Sequence, residues 1–373
     1  MRFFTYQSPS ATARISLALP SESAKISPPD FYNTLEWQSH LNSEDYSMFG
    51  FRTKNSATVC KAPEIHLIEN CVVHPVSRGR LRGMVEKTPG VFLAGLYGDS
   101  DFYSDHHGDK VSISVNQEIL SANITDLPDG PFPTVDANFI LFDHLYAENY
   151  AHMLLQTGSR FYLKEMLIPD VEHLTAIFHP IRTYQVDFFN MMSNGNYRHY
   201  SNRGESFSVS RLWVPTLVEY DGLSSRYVNW LRERLVSATA RSIQQRRLFL
   251  LRKGVWSRQI SNFDAVMNLL GSYGFEPIEL SDFNFHTQIE IIGQAEVIVS
   301  AHGAALANVV FGKSLKVIEF VPDAAPHPMY WWISKWLGHS YARITCEMGP
   351  RETISVDLTI LAEALKFSGC SIS

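Results

Sequence analysis

Between Arg247 and Val321 the chain repeats one pattern. A short apolar run is followed by a turn and then by a stretch with helical spacing. The runs "RLFLLR", "FEPIEL", "EVIVSA" and "KVIEFV" have the length and composition of strands, and "NFDAVMNLLGSYG", "FHTQIEIIGQA" and "AALANVVFG" read as the helices between them. Strand and helix in turn, with short connections, require parallel strands joined by right-handed crossovers. This block is therefore expected to be Rossmann-like. A looser version begins near Asn138, where "NFILFD" and "HLTAIF" read as strands around the helical stretch "AENYAHMLLQTGSRFYLKEML". The segment "YVNWLRERLVSATARSIQQ" reads as a charged amphipathic helix leading into the second block, which puts a domain boundary near Ser242. Residues 1–130 carry short apolar pieces such as "VFLAGLYG" and "VSISV" between polar turns and read as strand-rich, with "SESAKISPPD" as a surface loop. The expected architecture is α/β, with an N-terminal domain over 1–241 (strand-rich in 1–130, α/β in 138–241) and a Rossmann-like domain over 242–373.

Composition narrows the partners. The 373 residues hold 32 Lys plus Arg against 38 Asp plus Glu, a formal net charge of -6, and this sign argues against a general nucleic-acid binder. No apolar run approaches the ~18–20 residues that span a bilayer. The N-terminus "MRFFTYQSPSATARISLALP" is a poor secretory signal. Cys60, Cys71, Cys346 and Cys370 have no Cys-x-x-Cys spacing, so neither a zinc site nor a disulfide framework is expected. A cytoplasmic protein fits these features, and the sequon at Asn123 is then a chance occurrence.

Ligands of open parallel sheets bind beyond the carboxyl ends of the strands. The stretch "AHGAALAN" stands at such an end. Gly303 and the alanines after it permit close approach of a phosphate or of a neighbouring backbone, and the N–H groups of a helix start attract anions. His302 is a donor for a phosphate oxygen and Asn308 a brace for the loop. Close helix-on-sheet packing, with His302 satisfied locally, accounts for the same residues. Glu319, at the end of the next strand, is suited to accept both hydroxyls of a ribose or to form a strand-end salt bridge. Arg252, Lys253 and Arg258 in "LRKGVWSRQISN" fall at the same edge, and guanidinium forks suit a diphosphate, although a solvated surface run explains them taken alone.

As a set, "RLFLLRKGVWSRQISN", "FHTQIEIIGQAEVIVSAHGAALANVVFGKSLKVIEFVP" and "YWWISKWLGHSY" resemble the bacterial branch of glycosyltransferase family 61. Arg252, Arg258, Asn262, Gln288, His302, Gly303, Asn308, Glu319, Leu337, Gly338 and Tyr341 occupy the motif positions of that family. Upstream, "ENYAHMLLQTGSR" resembles its Asn-x-x-His helix through Asn149, His152 and Arg160. The likeness runs over residues 138–345. It implies a GT-B-like fold, two Rossmann-like domains facing a cleft, and inverting transfer of a sugar from a nucleotide donor, with a UDP-sugar expected. It implies no cofactor and no divalent metal. The acceptor would be a glycan, a lipid-linked glycan or another hydroxyl, in the assembly of capsule, exopolysaccharide or lipopolysaccharide at or near the inner face of the membrane. Donor binding falls to Arg252, Arg258, Gln288, His302, Gly303, Asn308 and Glu319. His152 is the preferred base, with Glu148 in reserve.

The sequence departs from the pattern twice. Ala305 replaces a glycine of the loop motif, and Gln156 stands where the helix motif has an aspartate four residues after its histidine. A carboxylate there would orient His152 or act as base. The amide keeps open a different class, a catalytically silent nucleotide- or glycan-binding relative. A second alternative is the Asp99/Asp101 pair in "YGDSDFYSDHHGD", with Asp105, His106, His107 and Asp109 beside it. Such a pair holds a divalent ion in GT-A enzymes, but a solvated polar loop is the preferred reading. No Gly-x-Gly-x-x-Gly or Gly-x-Ser-x-Gly supports an oxidoreductase or a serine hydrolase. Trp331 and Trp332 are expected to pack under the sheet.

Overall fold

The computed structural model describes residues 130–144, 147–180, 182–200, 205–215, 225–236, 245–323 and 329–372, together with strand segments at 13–16, 24–25, 57–58, 64–74, 84–88, 91–92, 102–103 and 111–112. The chain divides into two compact units, 1–21 with 61–223 and 22–60 with 224–373. Ser242 lies outside the described residues. The Ser225–Leu235 helix, placed by its sequence ahead of the boundary, packs against the Ala304–Phe311 turn and the Met329–Trp336 helix.

An eight-stranded sheet forms the first unit. Arg198–Tyr200, Thr175–Ile177, Thr134–Leu141 and Phe207–Pro215 lie side by side and parallel. In chain order these are the third, second, first and fourth, so the order reverses beside Thr134–Leu141. Glu64–His74 then pairs antiparallel with Phe207–Pro215 and continues the sheet into Met84–Thr88 and Val91–Phe92. The strand-rich N-terminal part thus extends the α/β sheet. Thr134–Leu141 enters with alternating exposure and ends fully buried. Phe139, Leu141, Ile177, Phe207, Leu212 and Val214 pack with Ile68 and Val73 on one face. Elsewhere, Phe142 stacks on Phe161 with ring centroids 3.8 Å apart, and Phe188 and Phe189 meet Phe161 edge-on. Each such buried ring contributes about 2–3 kcal/mol relative to exposure. The long helical stretch runs Tyr150–His152, opens into a π turn over Met153–Thr157, and closes as α-helix over Gly158–Leu167.

In the second unit six strands follow the order Glu276–Ile278, Arg246–Leu250, Ala295–Ala301, Lys316–Pro322, Ser340–Met348, Ile354–Ser355. The first five are parallel and the last pairs antiparallel. By chain order this is second, first, third, fourth, fifth, so the order reverses between Arg246–Leu250 and Ala295–Ala301. The strands read as nearly unbroken apolar runs because both faces are covered. Phe249, Val297, Val299, Ala301, Ile318, Phe320, Ala342 and Ile344 point to one core with Val266, Leu270, Leu361 and Leu365 from two helices. Their sequence neighbours point the other way, and there Ser300, Glu319, Tyr341 and Arg343 are buried with Leu250 and Val317. Period 2 therefore sorts the polar site residues onto one face.

Candidate functional site

The reversal of strand order in the second unit leaves a crevice at the carboxyl ends of Arg246–Leu250 and Ala295–Ala301, where the flanking connections leave toward opposite faces. The two loops meet there. A Cβ built on Gly303 would lie 1.3 Å from Nη1 of Arg252 and 2.6 Å from its Cζ. Gly303 has an extended backbone, φ 172°, so its requirement is space and not conformation. Gly303→Ala is accordingly expected to leave the unfolding midpoint nearly unchanged, because the displaced atoms end a flexible side chain. Affinity for a nucleoside diphosphate should fall about 10-fold or more as the guanidinium moves. Calorimetry with a thermal melt measures both.

Arg252 and Arg258 are half-buried, and the Nε of each is buried without a hydrogen-bond partner. Burial, and next the Arg258 charge, pull Arg252 down to about 10, against opposing influences of Tyr330 and Glu279. Neighbouring acids are engaged elsewhere: Glu279 accepts from the backbone N–H of Lys253 and from Ser281, and Asp282 pairs with Lys253 Nζ at 3.3 Å. The loop that carries the arginines is braced from both sides. Gln259 Nε2 donates to the carbonyls of Arg252 and Val255. Arg258 N donates to Glu352 O at 2.7 Å, and Ser261 N to Ile354 O. Asn262 locks the register, giving Nδ2–H to Val356 O at 2.8 Å and accepting from Val356 N at 3.1 Å. Arg258, Arg351 and Glu352 all adopt left-handed backbone, φ 57°, 56° and 54°. Non-glycine residues rarely do so, and such strain concentrates at functional sites.

His302 stands between the loop and the sheet. Its Nδ1 lies 2.5 Å from Glu319 Oε1, and Tyr341 OH donates to Glu319 Oε2 at 2.5 Å. Glu319 is 0% exposed. Both oxygens of the carboxylate that its sequence position offers to a ribose are thus engaged by His302 and Tyr341. The Tyr330 ring centroid is 5.2 Å from that of His302. Burial and Glu319 push the Tyr330 hydroxyl far up, keeping it a neutral donor, with Arg252 and Arg258 opposing. Tyr330 was missed by sequence reasoning because "MYWW" reads as core, and it is core: only the charges around it mark it. Trp331 is buried.

The remaining motif residues build the frame. Asn308, fully buried, donates Nδ2–H to Ala305 O and holds a 3-10 turn over Ala304–Phe311 where the sequence predicts an α-helix. Gln288, also buried, donates to Phe283 O at the head of its own helix. Gly338, φ 68°, follows the end of the Met329–Trp336 helix. His339 bridges Leu315 N and Val309 O, and burial pushes it down to about 4, so it stays neutral at ordinary pH.

In the first unit Asn149 caps the helical stretch, accepting from Ala151 N at 3.0 Å. His152 Nδ1 lies 2.6 Å from Gln156 Oε1, at the π turn. Burial lowers the His152 pKa, against the Gln156 hydrogen bond, so the ring is neutral at pH 7. Arg160 is 0% exposed and clasps the strand end, donating to Asp143 O at 2.5 Å and more weakly to Leu141 O. Glu148 is exposed, and its carbonyl accepts from Tyr184 OH. Asp99 and Asp101 lie outside the described residues. Among the described residues no group of three or more His, Cys, Asp or Glu is placed to hold a metal ion, and no helix is long and apolar enough to cross a membrane.

None of the curated proteins matches the chain. Residues 150–318, a little under half of the chain, match the family model described as Glycosyltransferase 61, and this stretch runs from the His152 helix through the arginine loop to the strand that carries Glu319, which supports a place for the protein in that family.

Proposed function

We propose that the protein is an inverting glycosyltransferase of GT-B type, moving a sugar from a nucleotide donor, a UDP-sugar in the first instance, to a glycan or lipid-linked glycan hydroxyl. One observation carries the reading. Two adjacent, partly buried guanidinium groups with unpartnered Nε–H repel each other at the switch point of a parallel sheet. Such a pair is costly until an anion of two or more charges enters between them. A diphosphate has that charge and that spread of oxygens.

The chemistry follows from the charges. As the anomeric carbon–oxygen bond breaks, negative charge accumulates on the departing nucleoside diphosphate, and Arg252, Arg258 and His302 are donors fixed in advance at the place where it develops. The positive charge of the two arginines supports a reaction that proceeds without a divalent ion. Gly303 gives the phosphate-side backbone room, and Asn308 keeps the turn in shape. The acceptor hydroxyl loses its proton to a base, for which the helix motif offers His152, neutral at pH 7, with Glu148 in reserve. A soluble cytoplasmic enzyme of surface-polysaccharide assembly, working at the inner face of the membrane, suits this donor chemistry.

Calorimetry with a panel of nucleotide sugars and free nucleoside diphosphates, in EDTA and then in manganese, tests the reading. Binding of one nucleotide at micromolar or tighter affinity in EDTA is expected. Binding seen only with manganese, and lost in Asp101→Ala, would move the donor site to the N-terminal loop. No binding in either buffer overturns the assignment. Gln156 favours one other reading, a silent relative that retains the donor site. That reading predicts binding without hydrolysis or transfer on any acceptor.

A further inference from the structure

The two arginines suit the diphosphate of a donor and leave its nucleoside unheld. Glu319, which its sequence position offers to a ribose, has both oxygens engaged by His302 and Tyr341. Trp256 stands in the arginine loop itself, after Arg252 and just before Arg258. It is 68% exposed, more than any other large apolar side chain among the described residues. We propose that the Trp256 indole is the platform on which the donor's nucleobase stacks while Arg252 and Arg258 hold the diphosphate. The proposal rests on the nucleotide-donor reading and deepens it by naming what holds the nucleoside.

The backbone under the indole is fixed, while the ring itself is uncovered. Val255 O accepts from Gln259 Nε2, and Ser257 O accepts from Arg252 Nη2 at 3.4 Å. The carbonyls on both sides of Trp256 are therefore tied, the second by the guanidinium that faces the phosphate site. Lys253 N donates to Glu279 Oε2 and Arg258 N to Glu352 O, each at 2.7 Å. Gly254, φ 70°, makes the turn between these anchors. Residues 253–256 are exposed and Ser257 is buried, so the indole stands where the loop turns back inward. Among the described residues no hydrogen bond or ring contact engages it.

The chemistry of this position selects a flat, uncharged ring. An indole offers a large rigid face that few torsions need to order, and every nucleobase has a π-face that stacks on such a surface. Lys253, the cation on the other side of Gly254, is already paired with Asp282 at 3.3 Å, which leaves the apolar Val255–Trp256 corner to meet the base. Reach follows from chain geometry. Consecutive Cα atoms are ~3.8 Å apart, so the Trp256 Cα lies within ~8 Å of that of Arg258, and in a nucleotide a single ribose separates base from phosphate. Because the loop is ordered before the ligand arrives, little of the stacking energy is spent on fixing it.

Calorimetry on the full chain with UDP, CDP, ADP and GDP, and with inorganic pyrophosphate, reads the two halves of the ligand apart. Trp256→Ala should weaken each nucleoside diphosphate that the parent binds by about 10-fold or more, the loss of one base–aromatic stack. Pyrophosphate affinity and the unfolding midpoint should stay unchanged. Trp256→Phe should recover most of the loss, and Phe367→Ala, which removes another exposed ring from the C-terminal helix, should affect neither ligand. The nucleotide should also quench the parent's tryptophan emission more than that of Trp256→Phe. Unchanged nucleoside diphosphate affinity in Trp256→Ala overturns the proposal, including the case in which only a nucleotide sugar is weakened, which would set the indole against the sugar. Equal weakening of nucleotide and pyrophosphate overturns it too, since Trp256 would then be a brace for the arginines. If the parent binds neither nucleotides nor pyrophosphate, the donor reading falls and the stacking role falls with it.

Discussion

Replacing Arg252 by methionine is expected to weaken nucleoside diphosphate binding by about 100-fold or more and to leave the folded state as stable as before, or more so. The two effects share one cause. In the free protein Arg252 is a partly buried cation beside another cation, its Nε–H has no partner, and burial and Arg258 depress it to about 10. Methionine keeps the aliphatic stem against its neighbours and removes both the repulsion and the orphaned donor. Exchanges of buried charge for apolar volume are commonly neutral or stabilising by ~1–4 kcal/mol. The bound state loses a charged fork instead. Charge-assisted hydrogen bonds contribute ~1.5–3 kcal/mol each, and ~1.4 kcal/mol is a factor of ten in Kd. Arg252→Lys, which keeps the charge without the fork, should fall between the two. The depressed pKa adds a signed pH dependence: the guanidinium loses its proton as pH rises through about 10, so affinity should decline there in the parent protein and not in the methionine variant. A loss of stability with binding intact would show Arg252 to be a structural residue.

Much of the second unit is legible in its sequence because each strand is buried on both faces. "EVIVSA" and "KVIEFV" admit few other readings, and the helices between them carry a clear apolar face. The same pattern placed His302, Arg252 and Arg258 at one edge without any knowledge of contacts. Other features depend on register between distant segments, and no local pattern reports register. Glu319 and Arg343 are partners across two strands, and Tyr341 reaches Glu319 from the adjacent strand on the same pleat. Ala304–Phe311 has helical composition, yet it tightens to a 3-10 turn with the buried Asn308 amide bonded to Ala305 O. In the first unit Phe207–Pro215 drew no attention as a strand, although it joins the parallel and antiparallel halves of the sheet.

The role of Glu319 can be decided by choice of ligand. If its carboxylate held the ribose, Glu319→Gln would weaken UDP and leave inorganic pyrophosphate unaffected. The bonds to His302 and Tyr341 predict otherwise. A glutamine can accept from only one of them through Oε1 and must donate to the other through Nε2, so the His302 ring loses its fixed orientation. UDP and pyrophosphate should therefore weaken together, by about 10-fold, the cost of one charge-assisted hydrogen bond. Tyr341→Phe removes the second donor but leaves the His302 contact, and should cost stability of about 1–2 kcal/mol with little change in affinity. Glu319→Ala leaves an imidazole and a phenol facing a void where a 0% exposed carboxylate stood, and about 3–5 kcal/mol of stability should go with it. Selective loss of UDP in Glu319→Gln, with pyrophosphate unchanged, would return the carboxylate to the ribose and leave the position of His302 to be explained by Tyr330 and the loop backbone alone.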